Sequence, residues 1–176
     1  MIDRMARIAE DDLASGELST PFGPFYVVAS RDGVIHADWN GFLAKGAGEL
    51  STRQTNGGQA RAMIEWAFAE LEEYFVGKRV SFTVPVRVSG TPFQEAVWAA
   101  LMEIPYGETR SYRDIALAVG SPKAVRAVGQ ANRANRVAVI IPCHRVIGQS
   151  GKLVGYAGSA VHLKAGLLEI ERTVKI

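Results

Sequence analysis

Apolar, β-rich residues fill two short runs near the start of the chain, at residues 25–29 and 34–39. Asp32-Gly33 lies between them, and Asp-Gly between two β-rich runs is a strong hairpin signal. A third run covers residues 80–88, where hydrophobic and polar positions alternate, and Pro85 favours an edge position there because proline cannot donate to a sheet. The three runs predict a small antiparallel sheet.

Apolar residues recur at helical spacing between Gln59 and Phe75, which predicts a helix over residues 59–76 that Gly77 ends. The preceding residues 41–58 are rich in Gly, Ser, Thr and Asn and have no sustained period, so we predict a loop there. The sheet and this helix form the predicted N-terminal unit.

Capping signals mark the helices of the second half. Thr91 and Gln94 form a capping-box pair, and Ser111 with Asp114 forms another. Pro92 occupies the first helical position after Thr91, a place that suits proline. One predicted helix starts at residue 92. Three others cover residues 112–119, 123–132 and 159–171.

Two of these helices, 112–119 and 123–132, are joined by a tight turn at Gly120 and form a helix-turn-helix candidate. Many helical hairpins bind nothing, so DNA binding is one of two interpretations of this pattern. The second helix carries small residues that would let a nucleic-acid backbone come close, namely Ala124, Ala127, Gly129 and Ala131.

These elements predict an α+β protein with two domains. Residues 1–90 would form a scaffold, a small N-terminal antiparallel sheet with a helix. Residues 91–176 would form a mostly helical C-terminal domain that contains the helix-turn-helix. A chain of 176 residues is long enough for either one or two domains.

The net charge is only +2, but basic and acidic residues are distributed unevenly between the two halves of the chain. Residues 1–90 hold 9 Lys and Arg against 12 Asp and Glu, whereas residues 91–176 hold 11 against 6. Between 110 and 152, Asp114 is the single acid among eight basic residues: Arg110, Arg113, Lys123, Arg126, Arg133, Arg136, Arg145 and Lys152. Such a face is compatible with simple solvation or with a polyanionic partner.

Cys143 is the only cysteine, so the chain can form neither an intrachain disulfide nor a cysteine-based zinc cluster. We therefore expect no metal and no cofactor, and a reducing, cytoplasmic compartment. No stretch approaches the roughly 18 apolar residues that a membrane span requires. His36 and His162 are interpreted as structural residues.

The segment around Cys143 is the strongest candidate for chemistry. Cys143 follows Pro142 and precedes His144 and Arg145, and a nearby base or cation favours the reactive thiolate. A lone cysteine after an apolar run is more often a small buried hydrophobe. His144 can act on Cys143 only if the chain turns there, because consecutive strand residues point to opposite faces.

The motif PCHRV at 142–146 resembles the active-site motif of the O6-alkylguanine-DNA alkyltransferase family. The resemblance extends to IPYGETRSY at 104–112, AVRAVGQANRANR at 124–136, and SGKLVGYAG at 150–158. It covers most of residues 90–171, and TPFGPF near the start resembles the family's N-terminal sheet more weakly. An ordered series of motifs is far more specific than any one of them.

The resemblance implies a relay of three residues. Cys143 would be the alkyl acceptor, His144 its general base through a bridging water, and Glu171 the carboxylate that orients His144. Without the resemblance, Glu171 would be interpreted as a solvated residue near a helix end. Asn135 would hold the active-site loop by hydrogen bonds to the backbone.

DNA contacts follow from the same resemblance. Arg126 would enter the base stack and fill the space that the flipped nucleotide leaves, although a phosphate contact is the commoner role of such an arginine. Tyr112 would rotate the 3′ phosphate and donate to guanine N3 as the base leaves. Ser111 would add a further DNA contact.

The implied substrate pocket comprises Arg133, Val146, Gly155, Tyr156, Ala157 and Gly158. Backbone carbonyls of Cys143 and Val146 would receive the guanine amine. Ala157 stands where some members have Ser, which removes a hydroxyl contact to the guanine oxygen. Gly155 stands where others have a larger polar residue, which would widen the pocket.

The implied function is DNA repair by direct reversal: a minor-groove helix-turn-helix binds the duplex, and the protein takes the alkyl group of O6-alkylguanine once. O4-alkylthymine is a second candidate substrate. The expected partner is alkylated double-stranded DNA and not a membrane, and the expected state is a monomer, with cooperativity on DNA left open. The alternatives are an alkyltransferase-like binding protein, which would lack the cysteine, a Cys-His hydrolase, and a transcription regulator.

Overall fold

The structure is a computed structural model that describes residues 13–40, 58–154 and 160–174. Its strands are β1 (Leu13–Thr20), β2 (Gly23–Ser30), β3 (Gly33–Asp38), β4 (Arg110–Ser111) and β5 (Val146–Ile147). Its helices are α1 (Gly58–Phe75), α2 (Pro92–Met102), α3 (Tyr112–Ala118), α4 (Val125–Arg133) and α5 (Val161–Thr173), with a short 3₁₀ helix at Cys143–Arg145. The predicted α+β class, a three-stranded antiparallel sheet with a helix followed by a helical part, is confirmed.

The chain folds as two compact units. The first contains the described residues of Met1–Glu72 together with Thr83–Arg87, and the second contains those of Glu73–Phe82 and Val88–Ile176. The last turn of α1 therefore belongs to the second unit. No described helix is both long and apolar enough to cross a membrane.

The sheet of the first unit has the order β1-β2-β3, with every neighbouring pair antiparallel. The predicted hairpin between β2 and β3 is confirmed. Gly33 is required in it, because its φ is +149° and a Cβ there would lie 2.7 Å from the carbonyl oxygen of Pro85. Strand β1 was not predicted: only Leu18 of its residues is buried, so its sequence carries little hydrophobic alternation.

The predicted strand over residues 80–88 is wrong. Only an isolated parallel bridge joins Val86 to Val34. The segment is held instead by the buried carboxylate of Glu70, which accepts hydrogen bonds from the Val84 amide at 3.0 Å and from both the amide and the hydroxyl of Thr83. A side chain thus satisfies amides that a sheet ladder would otherwise satisfy.

Both predicted capping boxes are present in the second unit, at Thr91 with Gln94 and at Ser111 with Asp114. The turn between α3 and α4 contains Gly120 at φ +70°. The indole of Trp98 in α2 donates to the carbonyl of Ala131 in α4 at 2.8 Å. This bond and the buried face of α2 hold the helix-turn-helix of α3 and α4 in place.

Gly77 ends α1, as predicted, and brings its last turn against the region after α5. Its φ is +73°, and a Cβ on it would lie 2.3 Å from Cγ2 of Val174. Only glycine fits both requirements. The close approach puts Tyr74 beside the helix that carries Glu171.

Candidate active site

Cys143 lies at the start of a 3₁₀ turn that begins directly after Pro142. Its side chain is buried, with 5% of the residue exposed. The Asn135 amide donates to Sγ of Cys143 at 3.0 Å and to the carbonyl of Ile141 at 3.0 Å, while Oδ1 of Asn135 accepts from the Val137 amide at 3.0 Å. One side chain therefore closes the loop and contacts the sulfur.

The loop before Cys143 carries a strained residue. Val139 has a φ of 72°, a region that β-branched residues rarely adopt. Its side chain is almost wholly buried, and the Ile141 amide donates to the carbonyl of Val137 at 3.0 Å across it. Burial and this turn hydrogen bond offset a strain of about 1–3 kcal/mol.

The 3₁₀ turn directs His144 away from solvent and toward α5. Its Nε2 lies 2.7 Å from Oε1 of Glu171, and both side chains are fully buried. An ionised carboxylate can only accept, so the proton of this bond is on Nε2 and the lone pair is on Nδ1. Nδ1 is buried and has no hydrogen-bond partner among the described residues.

Glu171 is held by several donors besides His144. Arg145 donates to it from Nε at 3.0 Å and from its terminal nitrogen at 3.0 Å, and the Gly107 amide donates at 3.1 Å. Burial alone would raise the pKa of Glu171, but His144 and Arg145 outweigh it and lower the pKa to about 2. The carboxylate is therefore ionised throughout the neutral range.

His144 itself stays neutral near pH 7. Its complete burial lowers its pKa below the ordinary 6.5, and the bond to Glu171 opposes that shift without overcoming it. Arg145 and Lys164 add repulsion that lowers the pKa further. A neutral imidazole with a lone pair on Nδ1 can accept a proton.

Three residues of this cluster were not assigned to it by the sequence analysis. Arg145 is directed at Glu171 and at the carbonyl of Ile104, to which it donates at 2.6 Å, rather than at the thiol. Tyr74 donates to Oε1 of Glu171 at 2.8 Å. Asn132 donates to the carbonyl of Cys143 at 3.3 Å. Only the position of Arg145 in the PCHRV motif offered a signal.

Tyr112, the first residue of α3, lies beside a buried lysine. Its hydroxyl donates to the carbonyl of Val154 at 3.0 Å, and the ammonium of Lys164 donates to the same oxygen at 3.0 Å. The ammonium also lies 5.8 Å from the centre of the Tyr112 ring. Burial lowers the pKa of Lys164 to about 8, and the Cys143 charge opposes this shift. Lys164 was not predicted as part of the site.

The structure brings Tyr112 close to α4. A Cβ on Gly129 would lie 4.0 Å from the Tyr112 ring, and the charge of Arg133 acts on the phenol. Burial and the Cys143 charge raise the pKa of Tyr112, and Arg133 opposes them. The phenol is therefore protonated, and in this structure it donates its proton to the Val154 carbonyl.

The remaining predicted DNA contacts lie on or near the surface of the helix-turn-helix. Arg126 and Arg133 are exposed on α4, and Ala127 is partly exposed there. Ala124 is partly exposed at the N-cap of α4. The Ser111 hydroxyl is engaged in its cap, where it donates to Asp114 at 2.8 Å.

The predicted pocket is only partly described. Val146 is buried in β5, which pairs with β4 in parallel through Arg110. Gly155, Tyr156, Ala157 and Gly158 lie outside the described residues. The carbonyl of Cys143 already accepts from the amides of Val146 and Asn132.

Comparison with protein families matches both halves of the chain. The family model described as the ribonuclease-like domain of 6-O-methylguanine DNA methyltransferase matches residues 15–88. The model described as its DNA binding domain matches residues 92–173.

Two relatives illustrate the similarity. The constitutive methylated-DNA–protein-cysteine methyltransferase of Bacillus subtilis is 62% identical over 103 residues, and the match covers 58% of this chain and 62% of that protein. The methylated-DNA–protein-cysteine methyltransferase of Methanosarcina barkeri is 45% identical over 154 residues, which cover 88% of this chain and 94% of that protein.

Solved structures agree. A crystal structure of an OGT variant from Mycobacterium tuberculosis superposes with a TM-score of 0.80 at 37% identity, covering 93% of this chain and 95% of that one. The crystal structure of Mycobacterium tuberculosis OGT in complex with DNA superposes with a TM-score of 0.74 at 38% identity. The match covers 90% of this chain and 92% of that one. With its Cys-His-Glu cluster and these matches, the chain belongs to the methylated-DNA–protein-cysteine methyltransferase family, the O6-alkylguanine-DNA alkyltransferases.

Proposed function

We propose that this protein repairs DNA by moving the alkyl group of O6-alkylguanine in duplex DNA irreversibly onto Cys143. The observation that carries the proposal is the neutral imidazole of His144, held by an ionised Glu171 directly after the thiol. The family membership supports the same chemistry.

In this reaction, Nδ1 of His144 takes the thiol proton through a bridging water, and the Cys143 thiolate attacks the alkyl carbon in line. The new sulfur–carbon bond forms as the bond from carbon to O6 breaks, and guanine leaves with the electron pair. The Tyr112 hydroxyl exchanges its bond to the Val154 carbonyl for one to N3 of the leaving base, where it stabilises the negative charge that develops. The departed guanine anion takes its proton from solvent. A thioether remains, and no group of the site can cleave it, so each molecule acts once.

Access to the lesion requires base flipping, because the alkyl carbon of a stacked guanine cannot reach a buried thiol. The small residues at 124, 127 and 129 suit a close minor-groove approach of α4, and Arg126 fills the vacated space. Ser111 and Tyr112 contact the adjacent backbone. Arg133, Val146 and the segment 155–158 line the pocket, where the Val146 carbonyl receives the guanine amine.

The proposal extends to the scope and setting of the reaction. The glycine at 155 leaves room for alkyl groups larger than methyl, and O4-alkylthymine is a second substrate. Residues 91–176 carry the chemistry and the DNA contacts, and residues 1–90 act as a scaffold. The protein works as a monomer in the cytoplasm, where its single cysteine stays reduced.

The direct test is intact mass spectrometry after incubation with an O6-methylguanine duplex. We expect each molecule to gain one methyl group, on the peptide that contains Cys143, and then to stop. An unmodified duplex is the control. Turnover of many lesions per molecule would contradict the single-use mechanism and favour a hydrolase.

Arg126→Ala separates the two roles of this arginine. If Arg126 fills the vacated stack, the variant should repair duplex DNA at least about tenfold more slowly, while its reaction with free O6-benzylguanine stays near wild type, since no flipping is needed. Single-turnover rates on both substrates provide the measurement. A lesion opposite an abasic site should partly rescue the variant.

Arg113→Ala removes a similarly exposed cation from α3 and serves as the matched control. It should weaken duplex binding and lower the salt slope by up to about one unit without slowing either reaction at saturation. The same result for Arg126→Ala would identify Arg126 as a phosphate contact. Equal losses on duplex and free base would indicate a damaged active site.

A further inference from the structure

We propose that Tyr74 is a positioning residue for alkyl transfer, which holds the Glu171 carboxylate in the orientation that aligns the His144 ring. This inference rests on the function proposed above and adds a residue from the last turn of α1 to the relay.

The geometry is a closed triangle of three buried groups. The Tyr74 hydroxyl donates to Oε1 of Glu171 at 2.8 Å, and Nε2 of His144 lies 2.7 Å from the same oxygen. The Tyr74 oxygen is in turn 3.4 Å from Nε2 of His144. A rotation of the carboxylate that weakened the bond to His144 would therefore also break the bond to Tyr74.

The ring of Tyr74 is itself held rigidly. It is wholly buried and lies edge-on to Phe75 and Tyr106, at centroid distances of 5.5 and 6.1 Å, and 5.4 Å from Phe82. The close approach of Gly77 to Val174 fixes the same turn of α1 against the region after α5. The hydroxyl thus has little freedom except to donate to Glu171.

Electrostatics keep the hydroxyl protonated. Burial and the negative charge of Glu171 raise the pKa of Tyr74 well above its ordinary value, although Arg145 opposes the shift. Tyr74 therefore donates to the carboxylate at every pH at which the protein works, and a donor to an ionised group makes a stronger bond than one to a neutral group.

This bond also limits how strongly Glu171 stabilises a protonated His144. A carboxylate oxygen that already accepts from Tyr74 attracts an imidazolium less than one that does not. The titratable and charged groups around His144 are Tyr74, Cys143, Arg145, Lys164 and Glu171, with Tyr106 beyond them. Without the Tyr74 hydroxyl, the pKa of His144 should rise. On acidification, His144 should then become protonated, and stop acting as a base, at a higher pH.

Tyr74→Phe tests the proposal, because it removes the hydroxyl and keeps the buried ring. The transfer rate to free O6-benzylguanine should fall about tenfold at neutral pH, the loss expected for one bond to a charged group. The acid limb of the rate profile should move up by about half a pH unit. Duplex affinity should stay within about twofold of wild type.

Tyr106→Phe is the matched control. Its hydroxyl is also buried and belongs to the same aromatic cluster, but it has no hydrogen-bond partner among the described residues. Tyr106→Phe should change neither the rate of alkyl transfer nor its pH profile. If both variants behave alike, or if Tyr74→Phe lowers the melting temperature and leaves the pH profile in place, Tyr74 is merely structural and the inference is wrong.

The titration of the His144 ring, followed by NMR in the absence of substrate, tests the inference separately from the function. A higher His144 pKa in Tyr74→Phe supports the role of Tyr74, and an unchanged pKa refutes it. Failure of the wild-type protein to gain an alkyl group would instead refute the proposed function.

Discussion

Cys143→Ser is expected to abolish alkyl transfer while the protein still binds duplex DNA within about twofold of wild type. A serine hydroxyl is a poor nucleophile at neutral pH, because almost none of it is ionised there. The substitution changes the size of the side chain little, and its oxygen can accept the hydrogen bond that Asn135 donates to Sγ. The expected loss is therefore chemical rather than structural.

Intact mass after incubation with an O6-methylguanine duplex measures transfer, and titration with the same duplex measures binding. The chain has one cysteine, so a thiol can be alkylated only in the peptide that contains Cys143. Alkylation of another residue type outside that peptide would appear on a different peptide. An alkyl gain by Cys143→Ser would show that Cys143 is not the acceptor. A joint loss of binding and thermal stability would show that Cys143 holds the fold.

Glu171→Ala is expected to cost about 3–5 kcal/mol of stability, the largest effect of the substitutions considered, and to abolish transfer. The Glu171 side chain is fully buried, and its carboxylate binds both Arg145 and His144. Its removal leaves the Arg145 guanidinium buried without a counter-charge, which is far costlier than the loss of a surface pair. His144 also loses the acceptor that fixes its tautomer.

The pH dependence of stability gives this prediction a sign. The pKa of Glu171 falls from an ordinary 4.5 to about 2 on folding, which corresponds to ~3 kcal/mol. Because the folded-state pKa is depressed, this stability is fully present above about pH 4.5 and is lost as the pH falls toward 2. The difference in the free energy of unfolding between wild type and Glu171→Ala should therefore narrow as the pH falls from about 4.5 toward 2.

Urea unfolding at several pH values provides the measurement. Glu169→Ala is the matched control on the same helix, since Glu169 is exposed and its carboxylate pairs, among the described residues, with the exposed Arg172. It should change the free energy of unfolding by no more than about 0.5 kcal/mol. Similar losses for the two variants would contradict the buried network around Glu171.

The sequence alone predicted the elements that depend on local chemistry. The capping boxes at Thr91 and Ser111 involve groups three residues apart, and the helix end at Gly77 and the hairpin at Asp32-Gly33 depend on backbone preferences of single residues. Such rules act within a few residues, so they hold whatever the rest of the chain does. Strand β1 has no such local signal, because only Leu18 of its residues is buried, and the sequence therefore did not predict it.

The candidate site divides in the same way. Cys143 and His144 are adjacent, so the sequence alone marked them as a candidate for chemistry beside the alternative of a buried structural cysteine, whereas Glu171 entered only through the family resemblance. By itself a glutamate near a helix end is most often solvated, and its burial depends on residues up to 97 positions away.

Only the tertiary structure decided what surrounds the relay. It turned Arg145 from the thiol toward Glu171, placed the wholly buried Lys164 beside Tyr112, and brought Tyr74 from the end of α1 to the carboxylate. The sequence determined which groups can carry charge and where helices begin and end. Their pKa values and their partners depend on burial and on long-range contacts, which exist only once the chain has folded.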